Sequence, residues 1–262
     1  MKKLILVPVL LTIAFACKKP VSDLETTPTL DVEEKNMGVW GVRTATWCGP
    51  CGSSLNGTQD IFEQNKHLVV GMAFKDAFIG TEGAQSDWGN HMFDVVAGQF
   101  DLGSSVPTTF QNFNTGTPGT IAEHLAAEVV VNGNYEIDFN GNDMVIRTTT
   151  KFFTNYEEQV FLVPFIIVDD LVGYQTSHPE SPNTVHKRYV ADVALPVNKA
   201  SEDKNEWGYL ISDRFVKEGH TVNMTFKATK KSQWANQNVK IGMVYFRKIG
   251  NQFFFLNAFS KY

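Results

Sequence analysis

Apolar and polar positions fall into three regimes along this chain. Leu4 to Phe15 is an apolar run behind Lys2 and Lys3, and residues 18–37 (KKPVSDLETTPTLDVEEKNM) are polar and punctuated by two prolines. From Gly38 onward, apolar residues recur at the spacings of strands and helices. Gly38–Thr46 has the β-branched content of a short buried strand. Ser53–Asn65 predicts a helix with Leu55, Ile61 and Phe62 as its apolar contacts, weakened by Gly57. His67–Phe74 predicts a buried strand, with Lys75 and Asp76 read as its solvated end, the alternative being that they tune the thiol, and a glycine-rich loop over 75–85. Ser86–Gln99 predicts a helix, Pro107–Phe113 a strand, and Thr120–Val129 a further helix. This order argues for a small α/β domain over residues 38–129. Beyond Val130 the pattern is all strand: Tyr135–Phe139, Met144–Phe153, Gln159–Val168, Tyr189–Val197, Thr221–Ala228, Val239–Arg247 and Phe253–Phe259. Asn140-Gly141-Asn142 and Ile249-Gly250-Asn251 supply turns. Strands at this spacing predict an all-β, sandwich-like domain over residues 130–262.

The opening segment changes the picture of where the chain works. A positive start, an apolar run too short for an ordinary membrane span and the sequence Ala14-Phe15-Ala16-Cys17 make residues 1–17 a targeting segment. Its end resembles the lipobox of bacterial lipoproteins, which implies that Cys17 carries the lipid. Phe15 departs from the usual small residue there, so an ordinary signal peptide cut near Ala16 is the alternative. Residues 18–37 then read as a flexible tether. The formal charge is −5, and loss of Lys2 and Lys3 takes it to about −7. With no dense Lys/Arg cluster, nucleic acid is excluded as an expected partner.

Of three cysteines, Cys17 is assigned to the lipid, leaving Cys48 and Cys51 as an isolated pair in an exported, oxidising setting. They sit in Thr46-Trp47-Cys48-Gly49-Pro50-Cys51, between a predicted strand and a predicted helix. At a helix start, the first sulfur faces unpaired N–H groups and the positive end of the helix, which stabilises a thiolate. Cys48 is then the attacking thiol and Cys51, one turn on, the resolving one. Pro50 suits the first turn, where its missing N–H costs nothing.

The Trp-Cys-Gly-Pro-Cys segment resembles the active-site motif of thioredoxins. The resemblance extends to Val106-Pro107-Thr108, where it implies a cis Pro107 beside the sulfurs and a Val106 backbone that pairs with bound substrate. Trp47 is expected to border that surface. The family's buried acid, six positions before the first Cys, is here Val42, which cannot serve. The complete layout, with Asp169–Gln175 and Val185–Arg188, is similar to the outer-membrane-protein-28-related lipoproteins of Bacteroidetes.

The expectation is therefore an α/β thioredoxin-like domain followed by an all-β sandwich-like C-terminal domain, held at the cell envelope and most simply at the outer membrane. Its activity would be exchange with protein disulfides or dithiols, without a cofactor, in step with a redox partner protein and with a lipid anchor as its membrane contact. The alternative is a surface binding or structural lipoprotein with a non-catalytic Cys48–Cys51 disulfide. A zinc site would have to recruit His178 and His186, since there is no second CxxC. Asp169, Asp170, His186 and Arg188 read as a buried salt-bridge network, and Phe253-Phe254-Phe255 as core.

Overall fold

The computed structural model describes residues 29–76, 105–114 and 120–262, with isolated positions between 91 and 100. The leader, tether residues 18–28, residues 77–85 of the predicted loop and most of the predicted helix over 86–99 lie outside the described residues. The elements are β1 (Gly38–Ala45), α1 (Gly49–Asn65), β2 (Val69–Asp76), β3 (Thr108–Gln111), α2 (Thr120–Ala126), β4 (Val131–Asn140) and β5 (Asp143–Phe152). They continue with β6 (Gln159–Val168), β7 (Leu171–Gly173), β8 (Thr184–His186), β9 (Tyr189–Val193), β10 (Leu195–Pro196) and β11 (Tyr209–Ser212). Last come β12 (Thr221–Thr229), β13 (Val239–Ile249) and β14 (Gln252–Phe259). The fold is β-rich. No helix among the described residues is long and apolar enough to cross a membrane.

The strands before and after residue 130 share one eight-stranded sheet, in the order β14-β13-β6-β9-β2-β1-β3, with β11 added on β6. The boundary expected between residues 129 and 130 is therefore not a boundary of the core. The junction is narrow: β2 runs parallel to β9 through the pair Ala73–Tyr189, and the Ala73 N–H donates to the Arg188 carbonyl at 2.8 Å. Helix α1 is the crossover that lets β1 and β2 run parallel.

A central strand buried on both faces reads as continuously apolar, and β6 is such a strand. Its Val160, Leu162, Ile166 and Val168 enter one core, and Val163, Phe165 and Ile167 enter the other. A second sheet, β10-β12-β5-β4, covers the first face through Met144, Ile146, Phe152 and Phe226, so two sheets do pack face to face. The other face gathers Met37, Val39, Val70, Met72, Phe74, Phe110 and Phe113 with Val190, Val244 and Phe246. Phe253 and Phe255 join this core, whereas Phe254 points outward.

Residues 29–37, expected as tether, are fastened to the body. Val32 and Met37 are buried, the Leu30 N–H donates to Thr149 Oγ1 at 2.8 Å, and Asn132 Nδ2 donates to the Glu33 carbonyl at 3.0 Å. The fully buried Asn257 holds the join: its Nδ2 donates to the carbonyls of Lys35 and Val131, at 3.1 and 2.6 Å, and its Oδ1 accepts from the Met37 N–H at 2.9 Å. The predicted strand over Tyr189–Val197 is interrupted at Ala194, and helix α1 starts four residues earlier than predicted.

The hairpin β7–β8 was not predicted. Its loop, residues 174–183, lies on the start of α1, where a Cβ on Gly52 would sit 2.1 Å from the Thr176 carbonyl oxygen. Lys75, His178 and His186 are all buried in this region, and Lys75 is 1% exposed, so the solvated strand end expected there is corrected.

Two predictions follow from this packing. Asn257→Ala leaves one N–H and two carbonyls unpaired in the interior, and should cost about 2–4 kcal/mol in urea unfolding. A loss under 0.5 kcal/mol would show that residues 29–37 do not depend on it. Burial, helped by nearby Lys75, pushes His186 down from 6.5 to about 3. Between those values only the unfolded chain binds the proton, so stability falls as pH drops through that window. The fall is up to about 1.4 kcal/mol per pH unit. Between pH 6.5 and 4.5 the wild type should therefore lose about 2 kcal/mol more than His186→Asn; equal losses would remove His186 as the acid-sensitive group.

Candidate thiol–disulfide site

The site begins where β1 ends. Cys48 keeps an extended backbone (φ −78°, ψ 111°) and caps α1, so the helix starts at Gly49 with Pro50 in its first turn. Cys51 N–H donates to Cys48 Sγ at 3.1 Å, so the sulfur fills the role that a Ser or Asp oxygen plays at ordinary caps. No acidic side chain occupies the first turn, which leaves the positive helix end to the sulfur. Cys48 and Cys51 form a disulfide with their Cα atoms 5.3 Å apart. Both are buried, at 3% and 2% exposure, while the neighbouring Trp47 is 53% exposed.

Two further segments complete the site. Val106 packs on Ala45, Cys48 and Cys51, and the Val106–Pro107 peptide bond is cis. The loop after β7 grips the motif backbone from another side. Gln175, fully buried, donates through Nε2 to the carbonyls of Ala45, Thr46 and Cys48 at 3.1, 3.4 and 3.1 Å. Beside it, the Thr176 N–H donates to the Thr46 carbonyl at 2.9 Å. Gln175 stood in a segment singled out from the sequence, but nothing there signalled that its amide would hold three motif carbonyls.

Behind Cys51 lies a cavity of about 40 Å³, between α1 and the faces of β1 and β2. Val42, Thr44, Ala73, Lys75 and Pro107 line it together with Cys51. That volume is room for a water molecule or two and not for a substrate. Among the described residues Lys75, Lys187 and Arg188 line it and no carboxylate does. Arg188 is paired with Glu63 and lies over the Phe62 ring, 3.5 Å from its centroid. Its backbone N–H donates to Asp169, which also accepts from Lys240 Nζ at 2.9 Å. Lys187 sits 3.8 Å from Asp170 at the surface. Arg188, Asp169 and Asp170 thus do belong to ion pairs, but His186 faces cations and backbone instead. Burial lowers Lys75 from 10.5 to about 7.

Trp47, Cys48, Cys51, Val106 and Pro107 thus gather around the motif; Lys75, weighed from the sequence as a group that could tune the thiol, lies by the same cavity, and Gln175 was missed. Cys17 lies outside the described residues. Among those residues, no group of three or more His, Cys, Asp or Glu is placed to hold a metal ion.

No family model matches this chain, and no curated protein matches it. Among solved structures, it is similar to HBP35 of Porphyromonas gingivalis, with a TM-score of 0.66 at 13% identity, over 88% of this chain and 76% of that one. Protein AGR_C_4864 from Agrobacterium tumefaciens superposes with a TM-score of 0.49 at 12% identity, over 87% of this chain and 95% of that one. At such identities the likeness to HBP35, a Bacteroidetes protein, is one of fold.

Proposed function

We propose that this chain is a thioredoxin-like thiol–disulfide oxidoreductase of the cell envelope, lipid-anchored through Cys17 and acting on protein disulfides or dithiols. The observation that carries the reading is Cys48 Sγ at the N-terminus of α1, accepting the Cys51 N–H. A thiolate there gains the helix dipole and an amide hydrogen bond, both of which lower the thiol pKa. As a reductant, Cys48 attacks one sulfur of the substrate disulfide, and the other sulfur leaves as a thiol after taking a proton. Cys51 then loses its proton and attacks Cys48 Sγ. The Cys48–Cys51 bond forms and the second substrate thiol leaves. Two electrons pass to the substrate, and a redox partner protein restores the dithiol. Run backwards, the same steps donate a disulfide. Trp47, Val106 and Pro107 form the substrate-facing rim. We read the chain as kin to the outer-membrane-protein-28-related lipoproteins of Bacteroidetes on the segments Asp169–Gln175 and Val185–Arg188, and an outer-membrane location goes with that reading.

Two observations favour a second reading, a binding or structural lipoprotein: both sulfurs are nearly inaccessible, and Gln175 fixes the backbone around them. The reduction potential of the pair separates the two. For the oxidoreductase, equilibration against a thiol buffer should give a value above about −300 mV with fast exchange. Cys48→Ser should abolish that exchange. A much lower potential, reached slowly, sinks the redox reading in favour of the scaffold.

A further inference from the structure

Three backbone carbonyls of the cysteine turn converge on one side chain. Those of Ala45, Thr46 and Cys48 all accept from Gln175 Nε2, at 3.1, 3.4 and 3.1 Å. Ala45 closes β1 and Cys48 caps α1, so one amide spans the turn from strand to helix. Gln175 is fully buried, which keeps these bonds away from water. The loop that carries it sits just as closely on the helix start. The Thr176 N–H donates to the Thr46 carbonyl at 2.9 Å, and a Cβ on Gly52 would lie 2.1 Å from the Thr176 carbonyl oxygen. Any larger residue at position 52 would displace the loop.

The amide has one admissible orientation. Turned over, it would set its oxygen against three carbonyl oxygens, none of which can donate. As it stands, Nε2 faces the motif, and among the described residues Oε1 has no hydrogen-bond partner. A buried acceptor left unpaired is costly, so the bonds on the donor side decide the orientation. The positive end of the amide therefore points at the turn that carries Cys48 Sγ. Only the covalent frame of Cys48 separates that sulfur from the carbonyl Gln175 holds. The same bonds fix the extended backbone of Cys48, from which Sγ meets the Cys51 N–H at 3.1 Å. Both effects favour negative charge on the sulfur.

We propose that Gln175 is a positioning residue for Cys48: by donating to the carbonyls of Ala45, Thr46 and Cys48, its amide keeps the sulfur at the helix end as a thiolate ready to attack. This rests on the oxidoreductase reading above. In the step concerned, Cys48 Sγ bonds to one sulfur of a disulfide, the disulfide bond breaks, and the other sulfur leaves with the bonding electron pair. Gln175 acts through the turn and not on the reacting atoms. Other groups near the turn bear on the same sulfur. Cys51 lies beside it, and Lys75, Lys187 and Arg188 line the cavity behind Cys51. Tyr174 and His178 stand in the loop with Gln175, and Asp76 lies across from Ala45 in the strand register. All of them stay in place when Gln175 alone is replaced, so a difference between the two proteins reports Gln175.

The test is the pH profile of attack by Cys48, in the full chain and in Gln175→Met. Methionine keeps the length of the side chain and donates no hydrogen bond. Each protein is reduced and mixed with the aromatic disulfide DTNB, and release of the first equivalent of coloured thiolate is followed by stopped flow from pH 5.5 to 9.5. In the wild type the rate should rise with pH and reach half its plateau below the ordinary thiol value of about 8.5. In Gln175→Met that midpoint should move up by about one pH unit. A thiolate of higher pKa is also the stronger nucleophile. The variant should therefore react about threefold slower than the wild type on the acid side and about threefold faster at its plateau. A site that is merely loosened would change the rate without moving the midpoint. A low wild-type midpoint that is unmoved or lowered in Gln175→Met overturns the role of Gln175 alone. A wild type that does not react, or whose midpoint is at or above the ordinary value, overturns the oxidoreductase reading and this inference with it. Should Gln175→Met fail to fold, the wild type decides by NMR of the reduced chain. The side-chain N–H signals of Gln175 should shift with pH at the Cys48 midpoint, and signals that stay fixed through that titration exclude the coupling.

Discussion

The arrangement depends on one narrow seam, where β9 lies parallel to β2 and the Arg188 carbonyl accepts the Ala73 N–H. Through it the strands around the cysteine motif become an extension of the sheet built by the rest of the chain. Because β9 directly follows the β7–β8 hairpin, seating β9 beside β2 also lays the hairpin loop across the start of α1. The grip of Gln175 on three carbonyls follows from that seating, and so does the burial of Lys75 and His186.

The seam has an electrostatic consequence. It encloses several basic side chains, Lys75, His178, His186 and Arg188 among them. Arg188, with Glu63 beside it, stays charged through pairing and through its place over Phe62. Burial pushes Lys75 down to about 7 and His186 to about 3, so both hold a proton less readily than in water. Only Cys48 caps the helix, so the two sulfurs stand in different environments although only two residues lie between them.

Much of the fold was legible in the sequence, because β1, β2, β4 to β6 and β12 to β14 each carry a strand pattern strong enough to survive without context. The Trp-Cys-Gly-Pro-Cys segment marked the strand-to-helix turn, and Cys48 caps the helix there. What could not be read was partnership. Alternation says that β6 or β9 has buried faces but not which strand it joins, so the change from mixed to all-strand pattern near residue 130 looked like a domain boundary. Lys75 closes an apolar run, a position that is ordinarily solvated, and nothing in the local pattern shows that it is buried. The three-residue strands of the β7–β8 hairpin are too short for any period to show. Residues 29–37 were polar enough to pass as tether because their attachment uses backbone groups and the side chains of distant asparagines.

The shape of the site also constrains what the proposed chemistry could act on. The cavity behind Cys51 is too small for an organic substrate, and the sulfurs themselves are covered. Binding energy must therefore come from the rim. The exposed large apolar side chains there are Trp47, next to Cys48, and Tyr174, next to Gln175. They belong to segments distant in sequence that the Gln175 contacts bring side by side. A small disulfide would touch too little of this rim to be oriented by it. A polypeptide chain can cover both aromatics while presenting its disulfide to Cys48, because such side chains bind through large, rigid apolar area. If the proposed exchange holds, the second half of the molecule would serve recognition as well as support, since it supplies Tyr174 and the Gln175 clamp on the motif.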